Sequence, residues 1–300
     1  MRIVVTGVAG QVARSLVERG MALGHVVLPL GRPHLDLASG DAEAIRAVLE
    51  MTRPEAIVSA AAYTAVDKAE SEPELAFAVN AIGAGHVAEA AAALNVPLVQ
   101  LSTDYVFSGD GSRAWREDDP TGPQGVYGAS KLAGERAVLA ACPNSAVLRT
   151  AWVYSPFGSN FVKTMLRLAE TRDEVGVVAD QIGNPTSALD IADGVLAVAA
   201  NLIGRADPAL RGVFHMVGAG EASWADLAEA VFAASAARGG PAAQVRRIAT
   251  SDYPTPARRP ANSRLDCTRL AKMHGVRLPQ WRGSLETVID RLVGGEGMEA

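Results

Sequence analysis

The sequence predicts an α/β protein: a Rossmann-type, doubly wound parallel sheet with a smaller, mixed C-terminal lobe. Three features point there. A glycine-bearing turn stands within the first ten residues, directly after an apolar run. Short apolar runs then alternate with amphipathic helical stretches as far as residue 150, and beyond it helices are separated by loops carrying Pro and Gly. Strands covered on both faces read as continuous apolar runs, and their alternation with helices is the pattern of βαβ units in one parallel sheet.

Taken in order, Arg2 to Thr6 reads as the first strand, Gly7 to Gly10 as a turn and Val12 to Ala22 as a helix. His25 to Leu30 is the second strand, Asp41 to Met51 a helix, and Ala56 to Ser59 the third strand. Pro73 to Leu94 reads as one long Ala-rich helix, capped by Ser71 and with Glu72 and Glu74 near its positive end. Val96 to Leu101 is the fourth strand, Tyr127 to Ala141 a helix and Ala146 to Arg149 the fifth strand, joined by right-handed crossovers. Later helices are expected at Phe161 to Thr171, Ser187 to Ile203, Trp224 to Ala237 and Leu285 to Val293. The expected organisation is a dinucleotide-binding unit over 1–150, a substrate lobe over 151–293 interleaved with it, and a loose tail over 294–300.

Composition narrows the function classes. With 49% hydrophobic and 20% charged residues, the chain has a globular balance that excludes disorder, and its longest apolar runs, near Ala60 and Ala90, stop short of a membrane span. A net charge of −5 argues against a nucleic-acid-binding surface, while leaving room for local basic sites that hold phosphate. Cys142 and Cys267 build neither a disulfide framework nor a metal pair, and His25, His34, His86, His215 and His274 show no ligand spacing. With no basic, apolar leader at Met1, the expectation is a cytoplasmic enzyme that uses neither membrane nor nucleic acid.

The chemistry centres on Tyr127-Gly128-Ala129-Ser130-Lys131, preceded by Ser102-Thr103-Asp104. A Tyr and a Lys four apart share one helix face, and a neighbouring ammonium favours phenolate, so Lys131 is expected to lower the Tyr127 pKa toward working pH. Tyr127 would then act as a general acid or base, with a hydroxyl at the end of the fourth strand polarising a carbonyl. In Thr6-Gly7-Val8-Ala9-Gly10-Gln11-Val12-Ala13, glycines let backbone N–H groups approach a pyrophosphate at a helix start. The second strand ends in Leu30-Gly31-Arg32, without the acid that usually holds a ribose; Arg32 instead offers a guanidinium to a 2′-phosphate. Asp36 either meets the adenine amino group or caps a turn.

These motifs resemble an extended short-chain dehydrogenase/reductase. Further stretches resemble one branch of it, the dTDP-4-dehydrorhamnose reductases: Ala60 to Glu70 (AAAYTAVDKAE), Ser102 to Phe107 (STDYVF), Tyr127 to Glu135 (YGASKLAGE), Arg149 to Tyr154 (RTAWVY), Asn160 to Leu166 (NFVKTML), Asp180 to Thr186 (DQIGNPT) and Arg259 to Asp266 (RPANSRLD). The glycine turn and YxxxK are shared by the whole superfamily, whereas AYTAVDKAE, STDYVF and RPxNSRLD are far more specific.

The resemblance implies hydride transfer from NADPH, with NADH tolerated, to C4 of dTDP-4-dehydro-L-rhamnose. Tyr127 would give the proton, Thr103 would bond the carbonyl, and Lys131 would hold the nicotinamide ribose. The cofactor would be lined by Gly7, Gly10, Gln11, Val12, Arg32, Asp36 and Leu37, and by Ala60, Ala61, Ala62, Tyr63, Thr64 and Ser102. The dTDP-sugar would meet Val66, Thr103, Asp104, Tyr105, Trp152 and Asn160, with Arg259, Asn262 and Arg264 on the diphosphate or nucleoside. An indole face at Trp152 suits the apolar edge of a deoxyhexose. Some members of the branch are dimers linked by Mg²⁺ through an acid early in the first helix. Here that turn carries Arg14 and Ser15, the first acid is Glu18, and no metal ligands are recognised, so the chain is expected to be a monomer or homodimer. Two other readings remain: a reductase of another nucleotide-linked 4-keto-6-deoxyhexose, and a non-catalytic dinucleotide-binding regulatory subunit.

Overall fold

The computed structural model describes residues 1–38 and 41–294, so the expected tail lies, apart from Gly294, outside the described residues. In chain order the elements are β1 (Arg2–Thr6), α1 (Gln11–Ala22), β2 (Val26–Leu30), α2 (Ala42–Met51), β3 (Ala56–Ser59), α3 (Val66–Ala69), α4 (Pro73–Phe77), α5 (Ala84–Ala93) and β4 (Leu98–Thr103). They continue with α6 (Val126–Ala141), β5 (Ser145–Thr150), β6 (Val153–Tyr154), α7 (Phe161–Ala169), β7 (Glu174–Val178), β8 (Ile182–Gly183), β9 (Thr186–Ser187) and α8 (Ala188–Gly204). The last are β10 (Gly212–His215), β11 (Ala222–Ser223), α9 (Trp224–Ala236), β12 (Gln244–Ile248), α10 (Thr268–His274) and α11 (Trp281–Val293).

Six parallel strands form the central sheet in the order β10-β5-β4-β3-β1-β2. The first five match the strands expected from the sequence; β10 is an addition from the second half of the chain. Gly212-Val213-Phe214-His215 is too short, and ends in a residue too polar, to read as a core strand. It nevertheless pairs with β5 from Gly212↔Ala146 to His215↔Arg149, and α8 packs against α1, β3 and β4, its Ile191, Val195 and Val198 in one core with Ile3 and Leu16. On the other side of the sheet, Ile45 and Leu49 of α2, Val87 and Ala91 of α5 and Val138 of α6 close a second core. A third gathers Tyr154, α7, α9 and α11 around the buried Trp281.

Caps follow the side-chain chemistry. Asp41 accepts from the N–H groups of Glu43 and Ala44, Ser187 accepts from Leu189, and Ser223 and Asp226 form a reciprocal box at the start of α9. The expected Ser71 cap is a correction. Ser71 Oγ donates to Lys68 O at 3.0 Å, the N-cap is Glu72 without a side-chain bond, and the helix opens on Pro73, whose fixed φ suits the first helical position and which has no N–H to satisfy. The long Ala-rich helix is also interrupted: Ala78–Gly83 widen into a π-helix between α4 and α5. Within that wide turn, Asn80 trades bonds with both backbone groups of Tyr63 (2.8 and 3.0 Å) and donates to Ser130 Oγ at 3.0 Å. Pro73–Ala93 together reach the length and hydropathy of a membrane span, which the sequence runs were expected to miss, but 56% of that window is buried within the protein.

Helix α6 meets this turn at a distance that only glycine allows. A Cβ at Gly134 would stand 2.0 Å from Asn80 O, a backbone atom that cannot step aside. Gly134→Ala is therefore expected to destabilise the protein by about 1–3 kcal/mol. Gly283→Ala, at an exposed position of α11 with nothing near the added methyl, should gain about 0.5–1 kcal/mol. Urea unfolding of the two variants checks both signs.

Candidate active site

The C-terminal ends of the strands open into one cleft of about 970 Å³. It gathers most of the residues picked out from the sequence: Gly7, Gly10, Gln11, Val12, Arg32, Asp36, Leu37, the whole of Ala60 to Thr64, Val66, Ser102 to Tyr105, Tyr127, Lys131 and Trp152.

At the dinucleotide end, Gly7 sits at φ +96°, and its N–H donates to Leu30 O at 2.6 Å, closing β1 onto β2. Gly10 leads into α1, whose first turn carries no acid, so its free N–H groups face the cleft without a competing carboxylate. Thr6 was not foreseen: its Oγ1 accepts from Ala60 N at 3.1 Å and Ala61 N at 3.0 Å, fastening the loop after β3. Arg32 is exposed on the cleft rim, and Asp36 Oδ1 accepts from Ala38 N at 3.0 Å. The Gln11 side chain works between the halves of the chain, accepting from Ser155 Oγ (2.8 Å) and Asn160 Nδ2 (3.1 Å).

At the other end, Thr103 closes β4 and Tyr127 opens α6. Burial pushes the Tyr127 phenol above its ordinary value, a hydrogen bond with the Thr103 hydroxyl pulls it back, and the Asp104 carboxylate adds to the rise. The expected lowering by Lys131 is not met. Its buried ammonium is drawn to Leu101 O at 2.7 Å, and desolvation brings its own pKa down to about 8. Asp104 is buried too, which raises its carboxyl to about 6 against the pull of the Ser263 and Thr103 hydroxyls. Tyr105 stands edge-on to Tyr127 with ring centroids 5.5 Å apart.

Behind these groups lies a buried ion pair that sequence reasoning missed. Glu135 accepts from Arg149 Nε (2.9 Å) and Nη2 (2.7 Å), and from Ser102 Oγ (2.5 Å). Its position four residues after Lys131 was the available signal.

Four expected substrate residues lie off the cleft. Asn160 caps α7, accepting from Lys163 N, and donates to Gln11, Ser155 and Phe157. Asn262 and Arg264 bind each other and the 110–113 loop, through Arg113 O at 2.7 Å and Ser112 O at 2.8 Å. They act as loop clamps. Arg259 lies in a small hollow that shares Tyr105 with the cleft, paired to Asp67 at 2.5 Å. Glu18 is held by both oxygens on Arg291 (2.7 and 2.9 Å), and among the described residues no group of three or more His, Cys, Asp or Glu could hold a metal.

The family model described as the RmlD substrate binding domain matches residues 1–293. The dTDP-4-dehydrorhamnose reductase of Sinorhizobium fredii is 51% identical over 290 residues, 96% of this chain and 97% of that protein. The reductase of the same name from Escherichia coli is 39% identical over 97% of this chain and 98% of its own length. Among solved structures, a dTDP-4-dehydrorhamnose reductase from Clostridium acetobutylicum superposes with a TM-score of 0.89 at 37% identity, covering 97% of this chain and 99% of that one. One from Bacillus anthracis, in complex with NADP, gives 0.88 at 34%, covering 96% and 98%. By family model, sequence and fold together, the chain belongs to the dTDP-4-dehydrorhamnose reductase family.

Proposed function

We propose that this protein reduces dTDP-4-dehydro-L-rhamnose to dTDP-L-rhamnose with NADPH. The observation that carries this reading is the convergence, in one cleft, of a glycine-lined dinucleotide cradle with Thr103, Tyr127 and Lys131. The family's shared name and the relative in complex with NADP support the same substrate and cofactor. A reduced nicotinamide bound in the cradle would supply the hydride for sugar C4. Tyr127, held protonated by burial, gives its proton to the C4 oxygen, while the Thr103 hydroxyl bonds that oxygen beforehand. Lys131 would hold the ribose next to the nicotinamide and Asp36 would stand at the adenine end, while Asp104, Tyr105, Val66 and Trp152 would contact the sugar. Arg259, beside Tyr105, takes the diphosphate. The enzyme works in the cytoplasm, as a monomer or homodimer.

The direct test is a panel of dTDP-, UDP- and GDP-linked 4-keto sugars with NADPH, followed by NMR of the products. The proposal predicts rapid turnover of the dTDP-linked 4-keto-6-deoxy sugar to the L-rhamno product; preference for a UDP or GDP sugar would refute it.

Tyr127→Phe keeps the ring and removes the acid, so kcat should fall by about 10²–10⁴-fold with little change in substrate affinity. Near-parental turnover would remove Tyr127 from the mechanism. The guanidinium of Arg32 should favour NADPH over NADH by about tenfold in kcat/KM, the low end for a charge-assisted bond at an exposed site. Gly31→Asp with Arg32→Ala should reverse that preference; the new side chain needs Val8 Cγ2, 3.0 Å from the added Cβ, to give way, and Val8 is exposed enough to do so.

Lys131 also predicts a pH dependence of stability in the ligand-free protein. Its folded pKa lies below its unfolded one, so between about pH 8 and 10.5 the unfolded chain binds more protons, and stability rises with pH. Relative to Lys131→Met, which lacks the group, the parent should gain about 2 kcal/mol from pH 7 to 9.5, measured by urea unfolding. A constant difference would place the ammonium in water.

A further inference from the structure

The segment Asp180 to Thr186 has no part in the chemistry above, yet it surrounds Trp152. Thr186 N donates to Trp152 O at 3.1 Å, and β9 then pairs with β6 directly after Trp152. Gly183 lies against the indole: a Cβ there would stand 2.5, 2.7 and 2.9 Å from Cε2, Nε1 and Cζ2. Similar distances to three consecutive ring atoms mean an approach over the ring face. The indole of Trp224 stacks on Trp152 with centroids 3.6 Å apart and planes 9° from parallel. Nothing fits between rings so close, so Gly183 and Trp224 take opposite faces. Trp224 is itself anchored to the same segment. Its Nε1–H donates to Gln181 Oε1 at 3.1 Å, Gln181 Nε2 donates to Thr250 Oγ1 at 3.0 Å, and that hydroxyl donates to Asp180 at 2.6 Å.

Trp152 lines the cleft and Trp224 does not. An indole covered on both faces has only its rim to offer, which corrects the expectation of a ring face against the sugar. That rim carries the indole Nε1–H, a hydrogen-bond donor. We propose that Trp224 and Gly183 are positioning residues for sugar recognition: the sandwich fixes the Trp152 indole edge-on, so that the cleft selects the sugar of a nucleotide sugar by fit and hydrogen bonding to that rim. The inference rests on the reading that the cleft holds a nucleotide-linked sugar beside Trp152.

The test measures dissociation constants of dTDP-L-rhamnose and of free dTDP, by calorimetry with NADP⁺ present, for Trp152→Ala, Trp224→Ala, Trp224→Phe and Gly183→Ala. Trp224→Ala should weaken dTDP-L-rhamnose at least fivefold and leave free dTDP within twofold. Trp224→Phe, which keeps a ring to stack, should recover most of the loss. Gly183→Ala, pressing on the other face, should reproduce it. In a Trp152→Ala background, Trp224→Ala should add nothing, because the two act as one unit. A selective loss in Trp152→Ala with none in Trp224→Ala or Gly183→Ala overturns the proposal and leaves the reading of the cleft intact. No selective loss in Trp152→Ala overturns both. Equal losses for the two ligands, or additive losses, make the stack plain packing and also overturn it. If Trp224→Ala does not fold, Trp224→Phe and Gly183→Ala decide.

Discussion

The site depends on one buried carboxylate. Glu135 on α6 is gripped by Arg149 of β5 and Ser102 of β4, with the ion pair only 4% and 3% exposed. Taking two charges out of water costs several kcal/mol per ion, and only bidentate geometry with further hydrogen bonds offsets it. Sliding or turning α6 on the sheet would strand a charge, so the pair fixes the helix at one register. Tyr127, Lys131 and Glu135 recur every four residues along α6 and form one row on the face turned to the sheet. Pinning Glu135 therefore pins the acid and the ammonium at the end of β4, where Thr103 stands. His215, next to Arg149 on β10, is held neutral down to about 3 by burial and by that guanidinium, so it adds no second positive charge behind the site.

The two halves of the chain share this frame. The second half returns through α8 and β10 to complete the sheet, and Gln11, at the start of the dinucleotide-facing helix, is bonded to Ser155 and Asn160 from beyond β5. The cradle for one ligand and the wall for the other are thus fixed to each other. Trp152 stands in that wall at φ +49°, a backbone region costly for a residue with a side chain, and its strain is countered by the Thr186 bond and the Trp224 stack.

How much was legible in the sequence follows from range. Five strands, the glycine turn and the YxxxK row rest on local pattern, where apolar runs and helical spacing carry the information, and they stand where expected. Thr6, Asn80 and Trp224 depend on partners far along the chain, and nothing near them in sequence says which backbone group or ring they will meet. Asn160 and Asn262 were read as ligand contacts for a related reason. In the fold each holds a helix start or a loop, a role that looks the same in a linear string as ligand binding. Lys131 shares the cleft with Tyr127 as its spacing suggests, but the expected lowering of the Tyr127 pKa is not seen, because spacing gives adjacency while the pKa depends on burial and on which acceptor the ammonium finds first.

The central claim is reduction at sugar C4 by a cofactor hydride with a proton from the protein. Its most direct test is isotopic: dTDP-4-dehydro-L-rhamnose incubated with C4-deuterated NADPH in ordinary water, and the product read by NMR. The account predicts one deuterium on sugar C4 from one face of the nicotinamide, with stoichiometric cofactor oxidation. A product without deuterium, or isotope exchange at a neighbouring carbon with no net cofactor oxidation, would contradict it.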